Sequence, residues 1–105
     1  MNKKAENKIR RLSQNQAKVL KEIISYSSTV AGTVVPGSYI SNASGISGNM
    51  LGGTVSALQR NDIIQPFGRE ERQFNWELTD PDLIQGYKED PDTLIKLINR
   101  IAGEK

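Results

Sequence analysis

The spacing of apolar residues changes along this chain of 105 residues, and the change limits the folds that it can adopt. Over about residues 14–26, apolar residues recur three and four positions apart, which predicts a helix. Over residues 73–78 they alternate with polar residues, which predicts a strand with one buried face. Since a chain of this length usually forms one domain, we expect a single α+β domain that is mainly helical.

Capping residues mark where the predicted helices begin. Ser13 and Gln16 form a capping box at the start of the helix over residues 14–26. Nearer the C-terminus, Asp80 and Asp90 each precede a Pro at a first helical position, which is a strong start signal. The two helices expected from these starts cover about residues 81–87 and 91–102.

The middle of the chain predicts a short strand, two helices around a tight turn, and a hairpin. The strand covers Thr33–Val35, and Ser38 caps a helix that ends at Ser44. After a turn at Gly45–Ser47, a third helix runs to Asn61. The apolar face of this third helix consists of Leu51, Val55 and Leu58. The hairpin strands are expected over residues 63–67 and 73–78.

The absence of both histidine and cysteine excludes several kinds of active site. A Ser-His nucleophile pair, a His-ligated or thiolate zinc site and a disulfide cannot be built from this sequence. We therefore expect a protein that is not an enzyme and that holds no metal and no cofactor. No apolar run approaches the roughly 20 residues that cross a bilayer, and the basic start Met1–Glu6 lacks a following apolar segment. We expect a cytoplasmic protein with no membrane partner.

The formal net charge of +2 is unevenly distributed. Residues 1–11 contain five basic residues and one acidic residue, whereas residues 80–105 contain six acidic and four basic residues. The N-terminal bases are Lys3, Lys4, Lys8, Arg10 and Arg11. We expect the segment 1–11 to be either a basic arm that binds phosphates or an extension of the first helix. A solvated charged tail explains the same composition.

The order of helix, short strand, helix, tight turn, helix and hairpin is that of a winged helix-turn-helix domain. The run Tyr39–Ile46 followed by Leu51 resembles the helix-turn-helix signature, in which a Gly and an aliphatic residue mark the turn. The stretch Thr54–Asp80 resembles the recognition helix and wing of multiple-antibiotic-resistance-type (MarR-like) regulators and their winged-helix relatives. The resemblance covers about residues 13–80.

The resemblance implies a DNA-binding domain over residues 12–80, with three helices and a β-hairpin wing, followed by C-terminal helices over residues 81–105. In similar regulators the terminal helices form a homodimer interface, which places two recognition helices on two half-sites of double-stranded DNA. The interface residues implied here are Leu94, Leu97, Ile98 and Ile101. The alternative is that the last helix only covers the first long helix.

A homodimeric regulator that occupies an operator is the function that the resemblance implies. The third helix would enter the major groove with the face opposite its apolar stripe, where Asn49 suits adenine and Met50 or Ala57 suits a thymine methyl group. The contacts expected on this helix are Ser47, Asn49, Met50, Gly53, Thr54, Ala57 and Arg60. Ser47 as a simple cap and Met50 as a core residue are the alternatives.

Contacts are also expected outside the third helix. Ser38 and Tyr39 would bind phosphate, with Tyr39 as a core residue the alternative. Arg69 and Arg72 would reach the minor groove or the backbone, or would instead form a salt-bridged turn with the two glutamates between them. Arg60 is the only base in the third helix, which departs from the family pattern. This scarcity favours a protein-interaction module as an alternative; an architectural, replication- or partition-linked DNA binder is another.

The glycine pair Gly52–Gly53 and the aromatic pair Phe74 and Trp76 each allow two interpretations. Glycine inside a helix costs about 1 kcal/mol relative to Ala. We expect the two glycines to permit close backbone approach to DNA or to the second helix, rather than to mark a kink or a later helix start. The aromatic residues can stack on bases, but their alternation with polar residues favours core positions.

Overall fold

The computed structural model describes residues 3–29, 34–46, 48–70 and 73–103. These residues form a mainly helical α+β fold with six helices and one three-stranded antiparallel sheet. The helices are α1 (Lys3–Arg10), α2 (Gln14–Thr29), α3 (Gly37–Ser44), α4 (Gly48–Arg60), α5 (Pro81–Glu89) and α6 (Pro91–Ala102). The strands are β1 (Val34–Pro36), β2 (Ile64–Glu70) and β3 (Gln73–Leu78). Across the described ranges, no helix is both long and apolar enough to span a bilayer.

The elements predicted from apolar spacing are confirmed, with ends that differ by a few residues. The predicted cap at Ser38 is wrong, because α3 begins at Gly37 after Pro36 and no side chain caps its start. The first helix, however, is neither an arm nor an extension of α2. Ser13 N–H donates to Gln16 Oε1 at 2.9 Å, and Gln16 N–H donates to Ser13 Oγ at 3.2 Å. This capping box starts α2 afresh, because it satisfies two backbone donors that a continuous helix would bond internally. The segment before it is therefore a separate helix, α1.

The sheet has the strand order β1-β3-β2, so β3 lies in the middle. Strands β2 and β3 pair in antiparallel register, and three of their residue pairs matter for the hairpin. These pairs are Ile64 with Leu78, Pro66 with Trp76, and Arg69 with Phe74. The register shifts by one residue between Pro66 and Arg69, where Gly68 takes a positive φ of 78°. A β-bulge of this kind uses glycine because other residues are strained in that conformation.

Helix α6 packs against α2, with further contacts to α1 and α5. Leu94 and Ile98 are fully buried and Leu97 is nearly so, while Ile101 is half-buried against the same core. The prediction that Leu94, Leu97 and Ile98 form a dimer interface is therefore wrong, because they are buried within the chain, where α6 packs against α2. The alternative interpretation, in which the last helix covers the first long helix, is confirmed.

Candidate nucleic-acid interface

Helix α4 turns its apolar stripe toward α2 and β2. Leu58 is fully buried, Val55 is 6% exposed, and Leu51 is half-buried against the core. The predicted inward face of the third helix is thus confirmed. Since these side chains fix the rotation of the helix about its axis, they also determine which residues face away from the core.

The side of α4 that faces away from the core is exposed and carries small or uncharged residues, apart from Arg60 at the end of the helix. Its exposed residues are Gly48, Asn49, Met50, Gly52, Gly53, Ser56 and Arg60. Met50 is 63% exposed, so its alternative assignment to the core is wrong. Ala57 is half-buried, at the border between the two faces. Ser47 lies outside the described residues.

Thr54 is a correction to the predicted set of groove contacts. The residue is only 9% exposed, and its hydroxyl donates to the backbone oxygen of Met50 at 2.7 Å. Position 54 lies three residues after Leu51 and four before Leu58, so it shares their face of the helix. Its side chain is therefore directed away from any surface that a groove could reach.

Gly52 and Gly53 lie within a continuous helix that has already begun at Gly48, so a late helix start does not explain them. A Cβ atom at either glycine would meet no atom of another described element within 4 Å. Close packing against the second helix is therefore also wrong as an explanation. The two glycines weaken α4 and relieve no crowding within the described part of the chain.

Replacing both glycines with Ala is expected to raise the free energy of unfolding by about 1 kcal/mol per site, because Ala restricts the unfolded chain and meets no neighbour here. Urea unfolding of Gly52→Ala and Gly53→Ala measures the effect. Gly103→Ala is the matched control, since Gly103 has φ 78° and its Cβ would lie 2.6 Å from Gln14 Nε2. The control is expected to lose stability, and no gain at the two α4 sites would contradict the prediction.

At the start of α3, the two predicted phosphate contacts differ in their surroundings. Ser38 is exposed. Tyr39 is half-buried against the core, and its ring centroid lies 4.7 Å from that of Tyr26. The core assignment of the Tyr39 ring is thus supported.

The basic N-terminal residues are partly used within the chain. Lys8 Nζ donates to Asp80 Oδ2 at 2.7 Å and lies 3.0 Å from Asp82 Oδ2. The hydrogen bond to Asp80, which outweighs the opposing effect of desolvation, raises the pKa of Lys8. Lys8 is therefore a structural link between α1 and α5 rather than a phosphate contact.

Arg10 also has an acidic neighbour, since two of its guanidinium nitrogens donate to Glu6 Oε1 at 2.8 and 3.1 Å. Both residues lie on α1, four positions apart, and the pair is largely exposed. Such exposed pairs contribute little to stability and dissociate readily. Lys3, Lys4 and Arg11 are exposed at the surface of this N-terminal region.

The hairpin of β2 and β3 holds the predicted wing residues. Arg69 is exposed, and its guanidinium carbon lies 5.7 Å from the centre of the Phe74 ring. Arg72 lies outside the described residues. Phe74 is 48% exposed, so its prediction as a core residue is wrong, whereas Trp76 packs against the core as expected. The hairpin extends beyond the core at this point, so alternation alone does not bury the outer residue.

Phe67, which the apolar pattern of the sequence did not single out, is 57% exposed on the same hairpin. It precedes Gly68 in the bulge between Pro66 and Arg69. A glycine inside a strand pattern is the available signal, since it marks a bulge and therefore a place where alternation no longer predicts burial.

Comparisons of the chain with protein-family models, with curated proteins and with solved structures gave no match.

Proposed function

We propose that this chain is a winged helix-turn-helix protein that binds double-stranded DNA by placing α4 in the major groove. The observation that carries the proposal is the exposed side of α4, which the described residues of the same chain leave uncovered. Behind it, buried aliphatic residues hold the helix against the core. The order of elements around α4 is also the one that such a domain requires.

The groove contacts in this proposal come from side chains near the middle and the ends of α4. Asn49 would pair with an adenine edge, and Met50 would contact a thymine methyl group. Gly53 would let the helix backbone approach the DNA closely, with Ala57 beside it. Arg60, at the end of the helix, would bind a phosphate. Ser47 at the helix start and Thr54 are not needed for this arrangement.

The hairpin and the start of α3 would position the helix on the DNA. Arg69 and Arg72 would contact the minor groove or the phosphates, and Ser38 would add a phosphate contact. Few cations take part, so the affinity is expected to fall moderately with salt, at about 0.9 logarithmic units per neutralised phosphate per decade of salt. Such a protein would work in the cytoplasm on the nucleoid, without enzymatic activity or a cofactor.

Transcription regulation as a homodimer is the fuller form of this proposal. A two-fold pair of α4 helices would occupy half-sites about one DNA turn apart. Since the apolar residues of α6 are used within the chain, such a dimer would be held by other surfaces. Light scattering of the protein on an operator-length duplex tests this point: two copies per site support the homodimer, and one copy restricts the proposal to monomeric DNA binding.

The test of DNA binding is a titration of duplex DNA with the intact protein at two salt concentrations. Asn49→Ala is expected to weaken binding to a preferred duplex about tenfold, the effect of losing one good base contact. Arg60→Ala is expected to reduce the salt dependence by about one phosphate equivalent. Lys96→Ala, which removes an exposed base from α6, is the matched control and should leave both quantities unchanged.

Two results would contradict the proposal. Unchanged duplex affinity of Asn49→Ala would remove α4 from the interface. No duplex binding even at low salt would favour the second candidate, a winged helix that binds another protein. The observation that favours this candidate is Met50, an apolar side chain 63% exposed on a helix whose only base is Arg60. The function would then be binding of a protein partner through Met50 rather than binding of DNA.

A further inference from the structure

The shared face of the hairpin strands runs from the core out into solvent. Along β3, Leu78 is 8% exposed, Trp76 is half-buried and Phe74 is 48% exposed. Opposite Phe74, β2 places Arg69 in the antiparallel register. We call Arg69, Phe74 and Trp76 the hairpin aromatic face. Its inner end belongs to the core, and its outer end is available to a partner.

Within this face, a cation and two aromatic rings lie close together. The guanidinium carbon of Arg69 is 5.7 Å from the Phe74 ring centre, within the range of a cation–π interaction. The Phe74 and Trp76 centroids are 6.0 Å apart, with planes tilted by 60°. Phe74 stays 48% exposed despite both neighbours. An exposed aromatic ring beside an arginine matches the chemistry of a nucleotide, whose base stacks and whose phosphate accepts hydrogen bonds.

We infer that the hairpin aromatic face binds an unpaired nucleobase, so that the protein prefers DNA in which a duplex adjoins a single strand. The inference rests on the proposed function, because α4 would hold the duplex while the hairpin meets the first unpaired base. Bases inside an intact duplex are stacked on each other and offer only their edges. An unpaired base has a free ring face, which is what an exposed phenyl group can contact.

A second copy of the chain fits this face less well. Two such faces in symmetric contact would bring two Arg69 guanidinium groups together, and like charges repel. The aromatic rings also offer too little area for a stable protein–protein interface. A fully buried aromatic side chain contributes about 200 Å², whereas a stable interface needs roughly 800 Å² from each partner. The nucleobase is the better occupant, since it needs only one ring and one cation.

The charge of the hairpin tip indicates that stacking would outweigh ion pairing at this site. Residues 68–73 contain two arginines and two glutamates, so the tip has no net charge. The preference for a junction over a blunt duplex is therefore expected to persist as salt is raised, whereas phosphate contacts weaken. Persistence of the preference in salt distinguishes this site from a general basic patch.

The experiment compares a blunt duplex with the same duplex carrying a single-stranded tail of thymidines. Trp76 is the only tryptophan and lies next to Phe74, so its fluorescence reports a base that stacks there. We expect the tailed duplex to bind about tenfold more tightly and to quench Trp76, as base stacking on an aromatic residue does elsewhere. Phe74→Leu keeps an apolar side chain without a ring, and it should abolish the difference while leaving the blunt-duplex affinity unchanged.

Phe67→Leu is the matched control, because it makes the same change at the other exposed phenylalanine of the hairpin. Equal affinity for the two DNAs, or a preference that survives in Phe74→Leu, would overturn the inference and leave the α4 proposal standing. Equal losses in both variants would indicate general apolar adhesion and would also overturn it. Binding of the single-stranded oligonucleotide alone that depends on Phe74 would support the hairpin site. An affinity for the tailed duplex that is insensitive to Asn49→Ala would contradict insertion of α4.

Discussion

Replacing Asp80 with Ala is expected to lower the free energy of unfolding by about 2–3 kcal/mol, through loss of a helix cap and of a partly buried ion pair. The Asp80 side chain is 2% exposed, and its Oδ1 accepts the N–H groups of Asp82 and Leu83 at 2.9 and 3.1 Å. Its Oδ2 accepts Lys8 Nζ at 2.7 Å. The Lys8 side chain is 37% exposed, so solvent screens the pair and most of the expected loss belongs to the cap.

Two further variants show how much of this loss comes from the negative charge of Asp80 and how much from its burial. Asp80→Asn keeps an oxygen that can accept the backbone N–H groups but removes the negative charge, so a smaller loss is expected. Asp90→Ala removes the corresponding cap of α6, where Asp90 Oδ1 accepts Thr93 N–H at 3.2 Å in a solvent-accessible position. Urea unfolding followed by circular dichroism compares the three. If Asp80→Ala and Asp90→Ala were equally stable, the burial of Asp80 would not add to the stabilising effect of its cap.

The ion pair of Lys8 and Asp80 also has a predictable pH range. Its hydrogen bond to Asp80 raises the pKa of Lys8 above the ordinary lysine value of 10.5. Because the pKa of Lys8 is raised in the folded state, the ion pair contributes its full stabilisation below pH 10.5. This stabilisation is lost as the pH rises through the raised pKa. The stability difference between the native sequence and Asp80→Ala should therefore narrow in strongly alkaline solution, as the pH rises through the raised pKa of Lys8.

A chain that ends at Glu89, and so lacks α6, is expected to be unfolded rather than a folded monomer. The deletion removes the buried side chains of Leu94, Leu97 and Ile98 and exposes the surface of α2 that they cover. Each such side chain contributes about 1.5–3 kcal/mol on burial. The sum for three is comparable with the whole net stability of a small domain, which is about 5–15 kcal/mol.

Circular dichroism and one-dimensional NMR of the shortened chain test this expectation. A dispersed NMR spectrum with native helix content would contradict it, and would reinstate the interpretation of α6 as an interface outside the core. In the full-length protein, Ile98→Ala should destabilise by about 2–5 kcal/mol, as large-to-small changes in a core do. Ile95→Ala, at a half-buried position of the same helix, is the matched control and should have a smaller effect.

The helices and strands were predictable because their signals are local. The capping box of Ser13 and Gln16 and the caps Asp80 and Asp90 lie within three or four residues of the donors that they bond. Apolar spacing likewise predicted the inward face of α4, since the rotation of a helix follows from which residues must be buried. Asn49 and Met50 were placed on its exposed side by the same argument.

Three features could not be predicted from local patterns. The pair of Lys8 and Asp80 joins residues 72 positions apart, and charge counts alone suggested an arm that binds phosphate. The apolar stripe of α6 predicts that one face of the helix is buried. It does not tell whether another helix of the same chain or a second copy of the chain covers that face, because both would need the same apolar residues. Phe74 alternates as a core residue would, yet its strand extends past the core.

The glycines at positions 52 and 53 have a consequence for how this protein would respond to selection. A search for heat-resistant variants should choose Ala at these two positions early, because the backbone there is already helical and the space beside it is open. A screen that also demands the natural binding partner would retain glycine. The two screens would then differ at positions 52 and 53 and agree elsewhere on the exposed side of α4. Such a result would locate the contact between α4 and its binding partner before that partner is identified.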